Sequence, residues 1–257
     1  MSAQPELRIS YKDKYIQVQT DSDFDTTLNG VNFINQRCKS YENDEPKTIE
    51  WIESFADKSV FYDVGSNIGG YSFIASMIHE NIRVYSFEPN FMNFYSQVKT
   101  CLKNNFKNVF SFNLAINKGN VFDHFKYDIV NNGSKGTFGE ELKEKMLRSD
   151  YSNPFKRKIS SEIGMLGISL DTLVYDFNLE TPNYLKIDVD GNELLILQGA
   201  KQLLKDDTLK QIFIEIDDKI YDNSEIEKFM KNYSFDSVLD INCGTDIKPI
   251  RMVLYKR

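Results

Sequence analysis

From residue 59 onward, short apolar runs alternate with stretches in which apolar residues recur every three or four positions. "SVFYDV" (59–64) reads as a strand, and Tyr71, Ile74, Ala75 and Ile78 then fall at i, i+3, i+4 and i+7, one face of a helix. "VYSF" (84–87) is a second strand. Phe91, Phe94, Tyr95, Val98 and Leu102 stripe a second helix before a third strand, "VFSF" (109–112). The rhythm breaks over 117–168 and resumes with "YLKIDV" (184–189), a helix faced by Leu197, Ala200, Leu203 and Leu204, and "IFIEI" (212–216). Strands separated by helices of this length imply right-handed βαβ units and a parallel sheet covered on both faces. "SFDSVLDI" and "RMVLYK" close the chain. Their connection, "NCGTDIKPI", is too short for a parallel crossover, so this last pair is expected to be antiparallel.

Before residue 59 the pattern is polar and punctuated. "LRISYKDKYIQVQT" predicts a hairpin, and "TIEWIESF" (48–55) a short helix with Thr48 as its N-cap. The chain therefore divides into an N-terminal hairpin and helix extension (1–58) and a main α/β domain (59–257). Within the latter, 117–168 contains the three glycines of "NNGSKGTFG" and a charged helix over 140–150. A segment this long inside a compact domain is expected to act as a lid or substrate loop.

Composition narrows the function classes. No run approaches the ~20 apolar residues of a membrane span. The start "MSAQPELRIS" lacks the basic and apolar regions of a signal peptide, so a cytoplasmic location is expected. Cys38, Cys101 and Cys243 lie far apart, without the spacing of a disulfide framework or zinc site. A net charge of -7 argues against nucleic acid as a partner, since such binding uses a basic surface. The oligomeric state is not legible.

The candidate chemistry starts in the turn after the first of the alternating strands, "DVGSNIGGYS" (63–72). In an open parallel sheet, ligands sit beyond the carboxyl ends of the strands. Gly65 and Gly69 permit a tight turn and a close backbone approach. A dinucleotide fingerprint would place glycine where Asn67 stands, and a P-loop would need a G-K-[ST] ending, which is absent. Asp63 suits a cationic amine better than a phosphate, which favours S-adenosylmethionine. Glu88 ends the next strand, where an acid accepts both hydroxyls of a ribose. Asn113 and Ala115 follow the third strand, offering an amide for an adenine edge and a small residue for its plane. Tyr71 and Ser72 open the first helix beside the cofactor's carboxylate end.

"FYDVGSNIGGYSFIAS", "FEPN", "NLAI", "ISLDTL" and "LKIDVDGNELLILQGA" together resemble the FkbM-type S-adenosylmethionine-dependent methyltransferases, over about residues 59 to 217. The resemblance implies a Rossmann-like class I methyltransferase fold with a seven-stranded, mostly parallel sheet. It also implies O-methylation of a hydroxyl on a sugar, glycan or secondary metabolite. Asp63, Gly65, Asn67, Gly69 and Glu88 would bind the cofactor, with Ser66 in the same turn. The chain departs from the family in carrying Asp190-Gly191 where Glu-Gly is usual, and the 117–168 segment matches poorly.

Methyl transfer to a hydroxyl needs the acceptor held in line and its proton removed. Strand alternation sets Asp188 and Asp190 on one side of their strand, with Val189 opposite. Asp188 is the first candidate for a pocket carboxylate, as base or substrate holder, Glu215 the second and His124 a third. Lys186 can pair with one of these acids. No metal is expected; the alternative is Mg²⁺ held by Asp188 with Asp217 or Asp218. A nucleotide-dependent oxidoreductase is disfavoured by Asn67, and a noncatalytic cofactor-binding protein remains a further alternative. "SNPF" (152–155) lacks the second proline and the position of an amino-methylating motif, which sets DNA N-methylation aside.

Overall fold

A computed structural model describes residues 7–20, 33–43, 45–127, 136–139, 161–189, 191–218, 220–221, 223–243 and 249–257. Seven strands form one sheet in the order β12-β13-β11-β10-β3-β4-β5. They are β3 (Val60–Val64), β4 (Arg83–Phe87), β5 (Val109–Phe112), β10 (Tyr184–Ile187), β11 (Gln211–Asp217), β12 (Asp236–Asn242) and β13 (Ile250–Lys256). Neighbouring strands from β11 to β5 run parallel, whereas β13 is antiparallel to both β11 and β12. This is the parallel sheet with an antiparallel last pair expected from the pattern, and the Rossmann-like seven-stranded sheet that the resemblance implies. The order reverses beside β3, so the turns after β3, β4 and β10 open at one edge, where a ligand crevice forms.

Two apolar layers cover the sheet. On one side, α5 (Glu193–Gln198) and α6 (Asn223–Lys231) carry Leu194, Ile196, Leu197, Ile226 and Met230 onto Tyr62, Leu185, Ile187, Ile212 and Ile214. On the other, α3 (Gly70–Ile78) and the N-terminal elements pack on Phe61, Val84, Tyr184 and Phe213. Those elements are the hairpin β1 (Arg8–Tyr11) and β2 (Lys14–Gln17), with α1 (Phe33–Asn43) and α2 (Pro46–Glu53). Trp51 of α2 donates to Gln211 at 2.7 Å, and Phe55 stacks on Tyr184 with ring centroids 3.9 Å apart.

Two local expectations are corrected. Thr48 does not cap α2: the helix begins at Pro46, whose fixed φ and missing N–H suit the first turn, and Thr48 lies buried inside it. The single helix expected after residue 191 stops at Gly199, where a Cβ would come within 2.3 Å of the Asn117 carbonyl. The chain continues as a short turn at Leu203–Lys205, whose amides of Gln202 and Leu203 are capped by Asp171. Within 117–168, β7 (Val121–Tyr127), β8 (Gly136–Phe138) and β9 (Ser161–Ile168) join β6 (Ala115–Ile116) in a second sheet, ordered β6-β9-β7-β8. The helix expected over 140–150 lies outside the described residues, as do "SNPF" and Asp190.

Candidate active site

The turn after β3 is shaped by residues with left-handed backbones. Gly65 (φ +80°) lies so close to β10 that a Cβ would stand 2.0 Å from the Asp188 carbonyl oxygen. Gly69 (φ +85°) ends the turn, where a Cβ would meet Phe73 at 2.9 Å. Asn67 also adopts positive φ (+53°), a conformation asparagine tolerates, and its side chain accepts from the Ile68 N–H at 3.0 Å. The turn is pinned to β4, because the Gly65 and Ser66 amides both donate to the Phe87 carbonyl.

Glu88 stands at the end of β4, 6% exposed. Its carboxylate accepts from the Asn67 N–H at 2.7 Å and from the Asn90 N–H at 2.9 Å, joining the turn to the start of α4 (Phe91–Asn104). Burial pushes its pKa up to about 7, against these hydrogen bonds, which lower it. The pattern of apolar positions does not reveal Gln97 of α4. This fully buried amide donates to Ser66 Oγ and to the Asn67 carbonyl and accepts from Ser86. The buried side of α4 is polar, formed by Asn93, Ser96, Gln97 and Thr100, whereas Phe91 and Leu102 of the apolar stripe are exposed, so the stripe pointed away from it.

A cleft of about 850 Å³, open mouth included, runs along the strand ends. Glu88, Asn67 and Gly65 stand in its wall, with Leu114, Ala115 and Ile116 after β5. Asp188 and Glu215 line it at the ends of β10 and within β11, and Phe125, Thr137 and Phe138 of the second sheet cover it. A smaller cavity behind the turn is lined by Asp63, Ser66, Tyr71, Lys186 and Asp188, and by Arg37 and Tyr41 of α1. The two cavities share Arg37, Glu45, Gly65, Asn67 and Asp188.

The acids hold distinct positions. Asp63 is 1% exposed and accepts from Ser72 at 2.6 Å; burial raises its pKa, opposed by the charge of Lys186. Lys186, also 1% exposed, places its ammonium 2.5 Å from Asp188 and 4.8 Å from the Tyr71 ring centroid. Burial acts to lower the lysine's pKa, yet Asp188, Glu45 and Asp63 outweigh it and hold the ammonium charged. Carboxylate oxygens of Glu45, Asp188 and Glu215 lie within 4.8 Å of one another, the one group among the described residues spaced to hold a metal ion. Asp218 is turned away, paired with Arg251 at 2.9 Å.

Some expected site residues are placed elsewhere. The Ser72 hydroxyl is committed to Asp63 beneath the turn. Asn113 donates to the Glu88 and Pro89 carbonyls at 2.9 and 3.0 Å, bracing the acid's strand end, and does not line the cleft. His124 is not brought to the cleft either: its ring is exposed beside Asp123, on the stretch of β7 where Phe122 is 85% exposed. Conversely Arg37, Tyr41 and Glu45 line the cavities although they come from the N-terminal segment.

The donor set fits S-adenosylmethionine. A buried acid, Glu88, ends a strand at the cleft and could accept hydroxyl hydrogen bonds, and Leu114, Ala115 and Ile116 line the wall beside it. Beyond the turn, a polar cavity contains the Tyr41 hydroxyl, which is buried with no hydrogen-bond partner among the described residues.

Comparison with known proteins identifies the family and the fold. A family model described as the methyltransferase FkbM domain matches residues 63–237. No curated protein matches by sequence. Among solved structures, the chain is similar to magnesium protoporphyrin IX methyltransferase (ChlM) from Synechocystis PCC 6803, determined with bound S-adenosylmethionine. The identity is 8%, with 91% of this chain and 86% of that one covered and a TM-score of 0.51. It is also similar to Trm5b from Pyrococcus abyssi, at 7% identity and a TM-score of 0.50, covering 94% of this chain and 53% of that one. At such identities these likenesses speak for the fold.

Proposed function

The chain belongs to the FkbM methyltransferase family, and from that premise we propose that it is an O-methyltransferase whose acceptor is a hydroxyl of a sugar, glycan or other small molecule. Its cofactor is S-adenosylmethionine, which when bound supplies an electrophilic methyl group on a sulfonium. The observation that carries the proposal is the convergence of Glu88, the 65–69 turn and the carboxylates Asp188 and Glu215 on one cleft.

In this reading Glu88 accepts hydrogen bonds from the ribose hydroxyls, and Gly65, Ser66, Asn67 and Gly69 shape the backbone against which the cofactor lies. Asp63 sets the charge beneath the turn, braced by Ser72, while Tyr71 shields Lys186. Ala115 leaves room for the adenine, and Asn113 supports Glu88 from behind. Positioning dominates an in-line displacement. Asp188 is suited to holding the acceptor hydroxyl, because the neighbouring ammonium stabilises its ionised form and weakens it as a proton acceptor. Glu215 is then the group that takes the hydroxyl proton, a step typically worth ~10²–10⁴-fold. His124 has no part in this scheme. The second sheet presents Phe125, Thr137 and Phe138 to the acceptor and excludes water. The net charge of -7 favours a small acceptor over nucleic acid.

A divalent cation on Glu45, Asp188 and Glu215 is a second reading, favoured by their spacing. The Lys186 ammonium already neutralises Asp188 at 2.5 Å, which places the metal-free reading first. The test is thermal-shift titration followed by methyl transfer to hydroxylated acceptors with and without chelator. Stabilisation by S-adenosylhomocysteine and chelator-resistant turnover support the proposal. Stabilisation by NAD(P) alone would overturn it, and turnover abolished by chelator and restored by Mg²⁺ would replace it with the metal reading.

A further inference from the structure

The N-terminal helix α1 lies outside the span matched by the family model, which begins at residue 63. It nevertheless supplies Arg37 to both cavities and Tyr41 to the smaller one. The Tyr41 ring covers Gly70 so closely that a Cβ there would stand 2.2 Å from the ring, and it packs edge-on against Tyr71 at 5.1 Å. Glycine at the first turn of α3 thus lets a residue from outside the family domain reach the back of the cofactor turn. Tyr41 is 5% exposed, and its hydroxyl has no hydrogen-bond partner among the described residues. Leaving a buried hydroxyl unpaired opposes folding, so the position is explained if a ligand atom completes it.

Charge around the cavity is divided. Asp63 and Lys186 face it from the sheet, and Glu45 enters from the N-terminal side. Arg37 lies near enough for its charge to act on the Tyr41 phenol, while burial, the larger effect, keeps that phenol protonated and a donor at neutral pH. A guanidinium with a nearby hydroxyl donor is suited to a carboxylate, and a carboxylate such as Glu45 to an ammonium. A zwitterionic α-amino acid group presents both.

Resting on the S-adenosylmethionine reading, we propose that α1 completes the cofactor site: Arg37 and the Tyr41 hydroxyl receive the α-carboxylate of the methionine end, and Glu45 its α-ammonium. The cofactor is then held at two independent points, adenosine by the family domain and amino acid by the N-terminal segment.

Calorimetry with two ligands separates the points. S-Adenosylhomocysteine carries the amino-acid group, and 5′-methylthioadenosine keeps the adenosine and thioether without it. Arg37→Ala is expected to weaken S-adenosylhomocysteine by roughly 10- to 100-fold, as for loss of a charge-assisted hydrogen bond, and to leave methylthioadenosine within about 2-fold. Tyr41→Phe keeps the ring over Gly70. It should weaken only S-adenosylhomocysteine, and the ligand-free melting temperature should stay the same or rise, because a stranded hydroxyl is removed. Equal losses for both ligands, or no loss for either, would overturn the proposal, as would a lowered ligand-free melting temperature for Tyr41→Phe. If the unmodified protein binds neither ligand, the S-adenosylmethionine reading itself fails and takes the inference with it.

Discussion

Glu88 concentrates the site's electrostatics in a single carboxyl. Burial holds its pKa near 7 before any ligand arrives, whereas the proposed contact with the ribose hydroxyls requires the carboxylate. Cofactor affinity should therefore be level above pH 7 and fall as the pH drops below it, approaching tenfold per unit. Calorimetry at several pH values would show this slope, and Glu88→Gln should remove it. The same shift has a sign for stability. A carboxyl whose folded pKa is raised stabilises the fold below the unfolded value of about 4.5 and loses that contribution as pH rises through about 7. Ligand-free Glu88→Gln should thus gain stability relative to the unmodified protein between pH 5 and 8, as read by denaturant melts. Asp188→Asn should bind S-adenosylhomocysteine nearly as well as the parent and lose ~10²-fold or more in turnover. Undiminished activity would remove Asp188 from the acceptor site. At this scale much was legible: Asp63, Gly65, Asn67 and Glu88 are adjacent in sequence to strand ends, so the apolar pattern locates them. The committed hydrogen bonds of Ser72 and Asn113 were not, because nothing local distinguishes a buried amide bracing a backbone from one facing a ligand.

Among the elements, the parallel strands are the clearest in sequence, since β3, β4, β10 and β11 are apolar over most of their length and flanked by helical stripes. The second sheet was hidden for a physical reason. β7 exposes Val121 and Phe122 and buries Lys126, and β9 carries two glycines, so neither shows a plain two-residue alternation. The sheet also draws on close packing: a Cβ on Gly136 would stand 2.5 Å from the Phe125 ring. Gly136→Ala should therefore disturb the cover of the cleft, raising the KM of the acceptor while leaving S-adenosylhomocysteine affinity within a few-fold; kinetics against calorimetry would separate the two. The N-terminal segment was only partly legible. α1, "FINQRCKSYEN", has too little apolar periodicity to announce a helix, so Arg37 and Tyr41 went unseen. α2 is integral to the core, and Trp51→Ala should cost ~3–5 kcal/mol by loss of a buried indole and its bond to Gln211.

For the whole molecule, the strand order explains why residues far apart in sequence share one cleft. With β4 and β10 flanking β3, their carboxyl ends bring Glu88 and Asp188 to either side of the 65–69 turn, and β11 adds Glu215. The second sheet closes one side and α1 the back. No helix among the described residues is long and apolar enough to cross a membrane. The chemistry of that acceptor is the least legible property, because it depends on the cover of the cleft and not on the strand-end motifs. The most direct test is transfer of a labelled methyl group from S-adenosylmethionine into a fractionated pool of small molecules and glycans, with the labelled product identified by mass spectrometry and NMR. The account predicts label in a methyl ether on a hydroxyl oxygen, lost in Glu88→Gln under limiting cofactor. Label found on nitrogen, carbon or nucleic acid would contradict it.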